Sequence, residues 1–381
     1  MTDFLLTIKI LTRDNPAKLK SCLEHLKNDI TNLNSDITLA LIDDSTNLKN
    51  RHKNRELFLR IFSKKDCPMH YLSNEEYSQA LIESPLEVSK KILSLVGMMG
   101  SSNYKPSRAK NISQFIEVHS DFHLLLDDDV IIENSTKLNN SVVENALISA
   151  EQKNSFVSIN LKGFLDLSLI QLLERSIIKD KKKLNEWNAD ISPFGLSGGF
   201  LLYSHDNNSL IFPDLYDEDY LWVAFSSTKK NMGSLQLHSN VFHKPTRKKI
   251  FSLDRLTFQG MGEITYLSLT EKSSQIDDFV FNKKYPNQDV IQDVIGEYCE
   301  YLKYIIALLK ISSFNEILNS PFLEKIPTKD CDLILKTHLK NVRKLPYRTI
   351  QKNYQNWMNQ QNEWIECEPN FSSSILEVTK L

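Results

Sequence analysis

Short apolar runs alternate with amphipathic stretches over roughly the first 265 of the 381 residues, and two of those runs stop abruptly in aspartates. This alternation restricts the fold more than any other feature, because parallel neighbouring strands need a crossover helix between them. Residues 4–11 are almost continuously apolar, broken by Thr7 and Lys9, and predict a strand buried on most sides. Asn15 and Pro16 then open a helix, with Asn as a cap, Pro at the first position, and Leu19, Cys22, Leu23 and Leu26 on one face. A second strand, 37–42, runs into Asp43-Asp44-Ser45-Thr46. The same rhythm gives a helix at 54–62 and a strand at 69–72. Within the mixed stretch 73–106, a helix starts at Ser84-Pro85 and a loop surrounds Gly97 and Gly100. A helix at 107–119, with Ile112, Phe115, Ile116 and His119 inward, leads to a short strand at 122–126 that ends in Asp127-Asp128-Asp129. Helices at 142–150, 167–178 and 217–230 and strands at 156–159, 198–203 and 235–242 complete the series.

After about residue 265 the alternation gives way to long helical patterns at 290–311, 330–342 and 348–364. The expected organisation is an α/β domain over 1–265 and a helical C-terminal subdomain over 266–381, with a mobile tail after Asn370. The net charge of -2, with both signs interspersed, provides no uniform field toward nucleic acid, and Arg247-Lys248-Lys249 is too short a run to change that. Five widely spaced cysteines without a CxxC pair suit free thiols rather than a disulfide framework or a zinc site. The N-terminus has no basic-then-apolar leader pattern, and the apolar stretch 304–309 is too short to span a bilayer. A cytoplasmic protein is expected, with peripheral association at the inner face of a membrane and homo-oligomerisation through the C-terminal helices left open.

In an open α/β sheet, ligands sit beyond the carboxyl ends of the strands, where both acidic turns are expected. Three adjacent carboxylates raise one another's pKa, a cost that a bound dication removes. Hard oxygen ligands suit Mg2+ or Mn2+. Alternation along an extended segment lets Asp127 and Asp129 face one way and Asp128 the other. A solvated acidic turn is the plain alternative.

Several pieces in order over residues 4–245 resemble the family 2 glycosyltransferases of the GT-A type. Residues 8–15, including Thr12 and Arg13, resemble that family's first strand and nucleotide-contacting loop, although Leu11-Thr12-Arg13-Asp14-Asn15 departs from its usual sequence. Residues 41–46 resemble its element in which an aspartate, here Asp43 or Asp44, binds the base or ribose. Arg108, Lys110 and Asn111 fall in its Ala-Arg-Asn helix start, with Lys110 in the arginine place. Residues 125–129 resemble its Asp-x-Asp motif. Ser197-Gly198-Gly199 resembles the glycine loop near the sugar, Glu218-Asp219 the acidic pair that carries the base, and His243 a histidine that completes the metal site.

The resemblance implies a Rossmann-like, mixed and mostly parallel sheet flanked by helices, and an enzyme that moves one hexose from a nucleotide-diphosphate sugar, a UDP-sugar, to an acceptor hydroxyl with inversion. Asp129, Asp127 and His243 are then the expected ligands of Mn2+ or Mg2+. Asp219 is the expected base, with Glu218 as the fallback. Thr12, Arg13, Asp43, Asp44, Arg108, Lys110, Asn111, Asp127, Asp128, Gly198 and Gly199 are the expected donor contacts. The acceptor is a carbohydrate, a lipid-linked species or a protein. Simpler readings stay open for each piece: a turn or helix cap at Asp43-Asp44, solvated cations at Arg108 and Lys110, a tight turn at Gly198-Gly199, and an acidic helix start at Glu218-Asp219. Trp187 could stack on a sugar or sit in the core. Competing functions are a metal-dependent nucleotidyltransferase, which normally shows a glycine-rich loop after the first strand, and a non-catalytic glycan-binding protein on the same fold.

Overall fold

The computed structural model describes residues 4–31, 33, 36–62, 67–102, 105–116, 120–132, 141–153, 156–163, 168–177, 199–205, 210–216, 218–230, 234–243, 250–270, 273–311, 323–324 and 326–381. His119, Trp187, Gly198, Asp217 and the 247–249 basic run, all singled out above, lie outside them. The first elements are β1 (Leu5–Thr12), α1 (Pro16–Ile30), β2 (Asp36–Asp43), α2 (Leu48–Ile61), β3 (Met69–Leu72), α3 (Asn74–Glu83), α4 (Leu86–Val96) and α5 (Pro106–Gln114). They are followed by β4 (Phe122–Asp127), β5 (Val130–Ile132), α6 (Val142–Lys153), β6 (Phe156–Gly163), α7 (Leu169–Ile177), β7 (Phe200–Ser204), α8 (Glu218–Lys230) and β8 (Ser234–His243). The remaining elements are helical: α9 (Leu253–Thr270), α10 (Ser273–Asn282), α11 (Gln288–Ile311), α12 (Thr328–Arg343) and α13 (Tyr347–Thr379).

The eight strands form one sheet in the order β3-β2-β1-β4-β7-β6-β8-β5. Strands β3, β2, β1 and β4 run parallel, as do β6 and β8, whereas β7 is antiparallel to β4 and β6, and β5 to β8. This is the mixed, mostly parallel sheet flanked by helices that the alternation and the resemblance imply. Side chains alternate across it. Leu6, Ile8 and Ile10 pack with Leu19, Cys22, Leu23 and Leu26 of α1 and Phe58 of α2, while Leu11, Ala40 and Ile42 face the helices of the other layer. Both faces are covered, which is why β1 and β2 read as nearly unbroken apolar runs.

Local details differ from the expectation where side chains compete for backbone groups. Asn15 makes no side-chain cap on α1; only its carbonyl accepts, from the Leu19 amide at 3.1 Å. Helix α2 starts earlier than expected because Asn47 caps it through the Lys49 amide. Helix α3, which the apolar pattern did not announce, opens on a capping box between Ser73 and Glu76. Strand β5 is only three residues long and was not expected.

The expected boundary at residue 265 falls inside α9, and one apolar cluster joins Leu125 and Leu201 of the sheet to residues of α9, α11, α12 and α13. Trp364 of α13 stacks on Phe115, just past α5, with centroids 4.4 Å apart, and Phe371 meets the same ring edge-on. The tail expected to be mobile is instead helical to Thr379. Its end is fastened to β3: the Leu381 amide donates to the Met69 carbonyl at 3.0 Å, and Thr379 Oγ1 lies 3.0 Å from His70 Nδ1. Among the described residues no helix is long and apolar enough to cross a membrane.

Because Trp364 is fully buried on Phe115, Trp364→Ala should lower the unfolding free energy by about 3–5 kcal/mol, read from denaturant titration, with the loss shared by sheet and helices in one transition.

Candidate active site

The central strands deliver their acidic ends to one place. Register pairs Thr12 with Asp43 and Leu11 with Asp127, and the triplet's backbone is pinned on both sides. The Asp128 amide donates to the Leu11 carbonyl and the Asp127 amide to the Gly199 carbonyl, each at 3.0 Å. A cavity of about 670 Å³ opens there, lined on the strand-end side by Thr12, Arg13, Asp44, Asp127, Asp128, Asp129 and Gly199. Its helical side includes Lys110 from α5 and Glu218 and Asp219 from the first turn of α8. His243 ends β8 and pairs in register with Val130, next to Asp129 in the chain; its side chain lies outside the described residues.

The acidic residues divide their work. Asp128 accepts from the Thr12 hydroxyl at 2.5 Å, and burial together with Asp129 and Asp127 pushes its carboxyl well above the usual range against that hydrogen bond. Asp43 is fully buried and does not line the cavity. Its carboxylate accepts from the Ser45 amide, Asn54 Nδ2 and Tyr71 hydroxyl, all within 3.1 Å, and burial raises its pKa. Asp44 does reach the cavity, as the hub of a closed network: Arg13 at 2.5 Å, Arg108 at 2.7 Å and the Gly100 amide at 2.8 Å all donate to it. Gly100 has φ of +66°, and a Cβ there would crowd the Ser45 carbonyl at 3.1 Å, so glycine is what lets this loop close on Asp44.

Asp14 explains the unusual first loop. It adopts φ of +53°, a left-handed conformation that Asp tolerates better than most residues. Its carboxylate is held by the Thr46 amide and hydroxyl, the Asn47 amide and Asn50, which lower its pKa despite burial. Thus Asp14 ties the loop after β1 to the start of α2, and Arg13 is left to line the cavity.

Of the Arg108-Lys110-Asn111 trio, only Lys110 lines the cavity. Arg108 is 2 % exposed and committed to Asp44 and the Ser101 carbonyl. Asn111 grips the backbone of Phe212 with both ends of its amide, at 2.7 and 2.9 Å. Neither lines the cavity: Arg108 braces Asp44 and the loop at Ser101, and Asn111 supports the segment that leads to Glu218. Lys110 sits between the acidic groups, with Nζ 2.9 Å from Glu218 and 2.5 Å from Asp219. Burial pulls its pKa down, yet Asp219, Glu218 and Asp127 together hold it well above the ordinary lysine value. Burial pushes Glu218 up, Lys110 opposes this and Asp219 adds to it, leaving its carboxyl at about 7.

Sequence reasoning missed the rest of the helical wall: Lys105, Tyr216, Tyr220, Asp254, Arg255, Phe258 and Gln259. The spacing of Asp254, Arg255 and Phe258 at the start of α9 is ordinary for an exposed helix turn, so nothing in the sequence marked it. One hidden signal was Gly262: a Cβ there would collide with the Tyr216 carbonyl, so glycine permits α9 to approach the chain just before Glu218.

Among the described residues no group of three or more His, Cys, Asp or Glu is arranged as a ready-made metal cage. The residues nevertheless fit a hard dication that arrives with a phosphate, since Mg2+ and its like take one or two carboxylates plus substrate oxygens. Asp127 and Asp129, which line the cavity at the strand ends, would be the carboxylates to hold it. The field at this point is negative: the buried Cys22 thiol, whose Sγ points at the Asp127 carbonyl, is pushed well up by burial and then by Asp128, Asp129 and Asp127.

No family model matches the sequence, and no curated protein does. Among solved structures, the chain is similar to S. aureus TarS, at 13% identity and TM-score 0.39, over 80% of this chain and 50% of that one. It is also similar to M. tuberculosis glucosyl-3-phosphoglycerate synthase, at 15% identity and TM-score 0.41, over 70% of this chain and 80% of that one, and to the galactosyltransferase LgtC, at 14% identity and TM-score 0.28, over 52% and 58%. The chain thus spans half the length of TarS and most of the length of the synthase. At such identities and TM-scores no property of this chain follows from them.

Lys110→Met leaves two buried carboxylates without their cation. It should cost about 3–5 kcal/mol of stability near pH 8. The loss should be largest at alkaline pH and shrink as pH falls toward about 7, because Glu218, raised by burial and no longer opposed by Lys110, takes up its proton at a higher pH than in the parent protein. Denaturation of both proteins across that range checks the sign.

Proposed function

We propose that this chain is a metal-dependent glycosyltransferase that moves a single sugar from a UDP-sugar to an acceptor hydroxyl with inversion. The observation that carries the reading is that Asp127 and Asp129 from the sheet, and Glu218 and Asp219 from α8, line the same cavity. One acidic group is needed for a cation and another for a base, and uncatalysed sugar transfer is slow for want of both. A bound Mn2+ or Mg2+ supplies Lewis-acid neutralisation of the diphosphate leaving group. Asp127 and Asp129 hold it, and His243 is the third candidate ligand. Thr12, Arg13 and the Gly199 backbone line the donor end.

In this reading Asp219 accepts the acceptor's hydroxyl proton as that oxygen bonds to the anomeric carbon, and the bond from that carbon to the diphosphate oxygen breaks. Lys110 keeps Asp219 and Glu218 in place and limits their mutual repulsion. Asp219, in the acidic pair that the resemblance gives for the base, is taken as the base, and Glu218, on the same ammonium, is the fallback.

Thermal-shift titration with UDP and UDP-sugars, with and without Mn2+, should show stabilisation that depends on the cation. Asp129→Ala should abolish metal-dependent donor turnover; full activity in that variant removes the metal from the reaction. Asp219→Asn should lower kcat by about 10²–10⁴-fold while UDP still binds. If the larger loss falls on Glu218→Gln, the two carboxyls exchange roles. Absence of any shift with nucleotides or nucleotide sugars defeats the reading.

A further inference from the structure

The cations that line the cavity are not equivalent. Arg13 is paired with Asp44, Lys105 with Asp214 at 3.1 Å, and Lys110 with Glu218 and Asp219. Arg255 lines the same cavity, is exposed, and has no carboxylate partner among the described residues. Only its backbone is engaged, through the amide that donates to Ser252 Oγ. One turn further along α9, Phe258 keeps 40% of its surface exposed, and its ring stands edge-on to Tyr216 with centroids 6.4 Å apart. Asp254 is exposed beside them. The position of Tyr216 is fixed by the close approach of its backbone to Gly262.

We infer that Arg255, Phe258 and Tyr216 form an acceptor subsite for a sugar or polyol that carries an anionic group, a phosphate or a carboxylate. This rests on the transferase reading. A guanidinium without an internal partner matches an oxyanion through two parallel hydrogen bonds, which a neutral hydroxyl cannot reproduce. An aromatic pair in a concave wall, Phe258 exposed and Tyr216 half-buried, provides an apolar face for the C–H surface of a ring, and Asp254 accepts from hydroxyls at its edge. These side chains share the helical wall with Glu218 and Asp219, where an incoming hydroxyl must lie. The donor's diphosphate belongs with Asp127 and Asp129 at the strand ends, so the free guanidinium is left for the other substrate.

The test is calorimetric titration of the full chain, in Mn2+ and UDP, with matched probes: glucose, glucose 6-phosphate and glucuronic acid, and glycerol with glycerol 3-phosphate. The charged member of a set should bind at least about tenfold more tightly than its neutral parent. Arg255→Gln should remove that difference, and Arg255→Lys should keep part of it. Phe258→Ala should weaken charged and neutral sugars by a similar factor. Comparing the phosphate with the carboxylate identifies which anion the site takes. Equal binding of charged and neutral probes overturns the inference, as does a preference that survives Arg255→Gln. Weakened UDP binding in Arg255→Gln, with acceptor preference intact, also overturns it and moves Arg255 to the donor. Titration of UDP alone reads the transferase proposal separately: anion binding that depends on Arg255 without any nucleotide binding would sink that proposal and keep the subsite.

Discussion

Carboxylates outnumber cations at the mouth of the central strands, and the ammonium of Lys110 is what makes the crowding tolerable. It lies within ion-pair distance of two carboxylates from α8 and is further held by the charge of Asp127 at the end of β4. A buried charge of this kind adds little to stability over an apolar filling, but removing one member of the set is costly. Its consequence is positional. Sheet and helix are drawn to a common point, and that point is the cavity.

The chain before Glu218 shows how that position is maintained without a sheet partner. Residues 210–212 have their backbone groups met by side chains: Gln114 and Trp222 at the Leu210 carbonyl, Gln361 and Trp357 at Ile211, and Asn111 at Phe212. Buried backbone groups must find partners, and here α5, α8 and α13 provide them. The C-terminal helices are therefore part of the scaffold of the cavity. An apolar cluster shared with the sheet reinforces this, with Phe115 and Trp364 at one contact.

Much of the architecture was legible because burial on both faces leaves a plain apolar signature. Strands β1, β2 and β4 and the inward stripe of α1 could be read directly, and β3 fell on the expected residues. Strand β5 could not be read, since three residues carry no period. The Ser73 to Glu76 capping box was present in the sequence and would have revealed α3. The meeting of Asp127–Asp129 with Glu218 and Asp219 follows from topology, which the order of motifs implied. What adjacent residues do was not readable. Asp43 turns inward to Tyr71 and Asp44 turns to Arg108, and Asn111 serves the backbone instead of a ligand. Direction of a side chain depends on neighbours distant in sequence, and those neighbours became known only with the fold.

The attachment of residues 379–381 to β3 also bears on how molecules of this protein meet one another. An outermost strand with unsatisfied amides and carbonyls is a template for pairing with a strand from another molecule. Here the bridge between His70 and Lys380 and the bond from Leu381 to Met69 occupy part of that rim. The sheet thus carries its own guard against edge-to-edge aggregation, supplied by the last turn of a helix rather than by charge or proline.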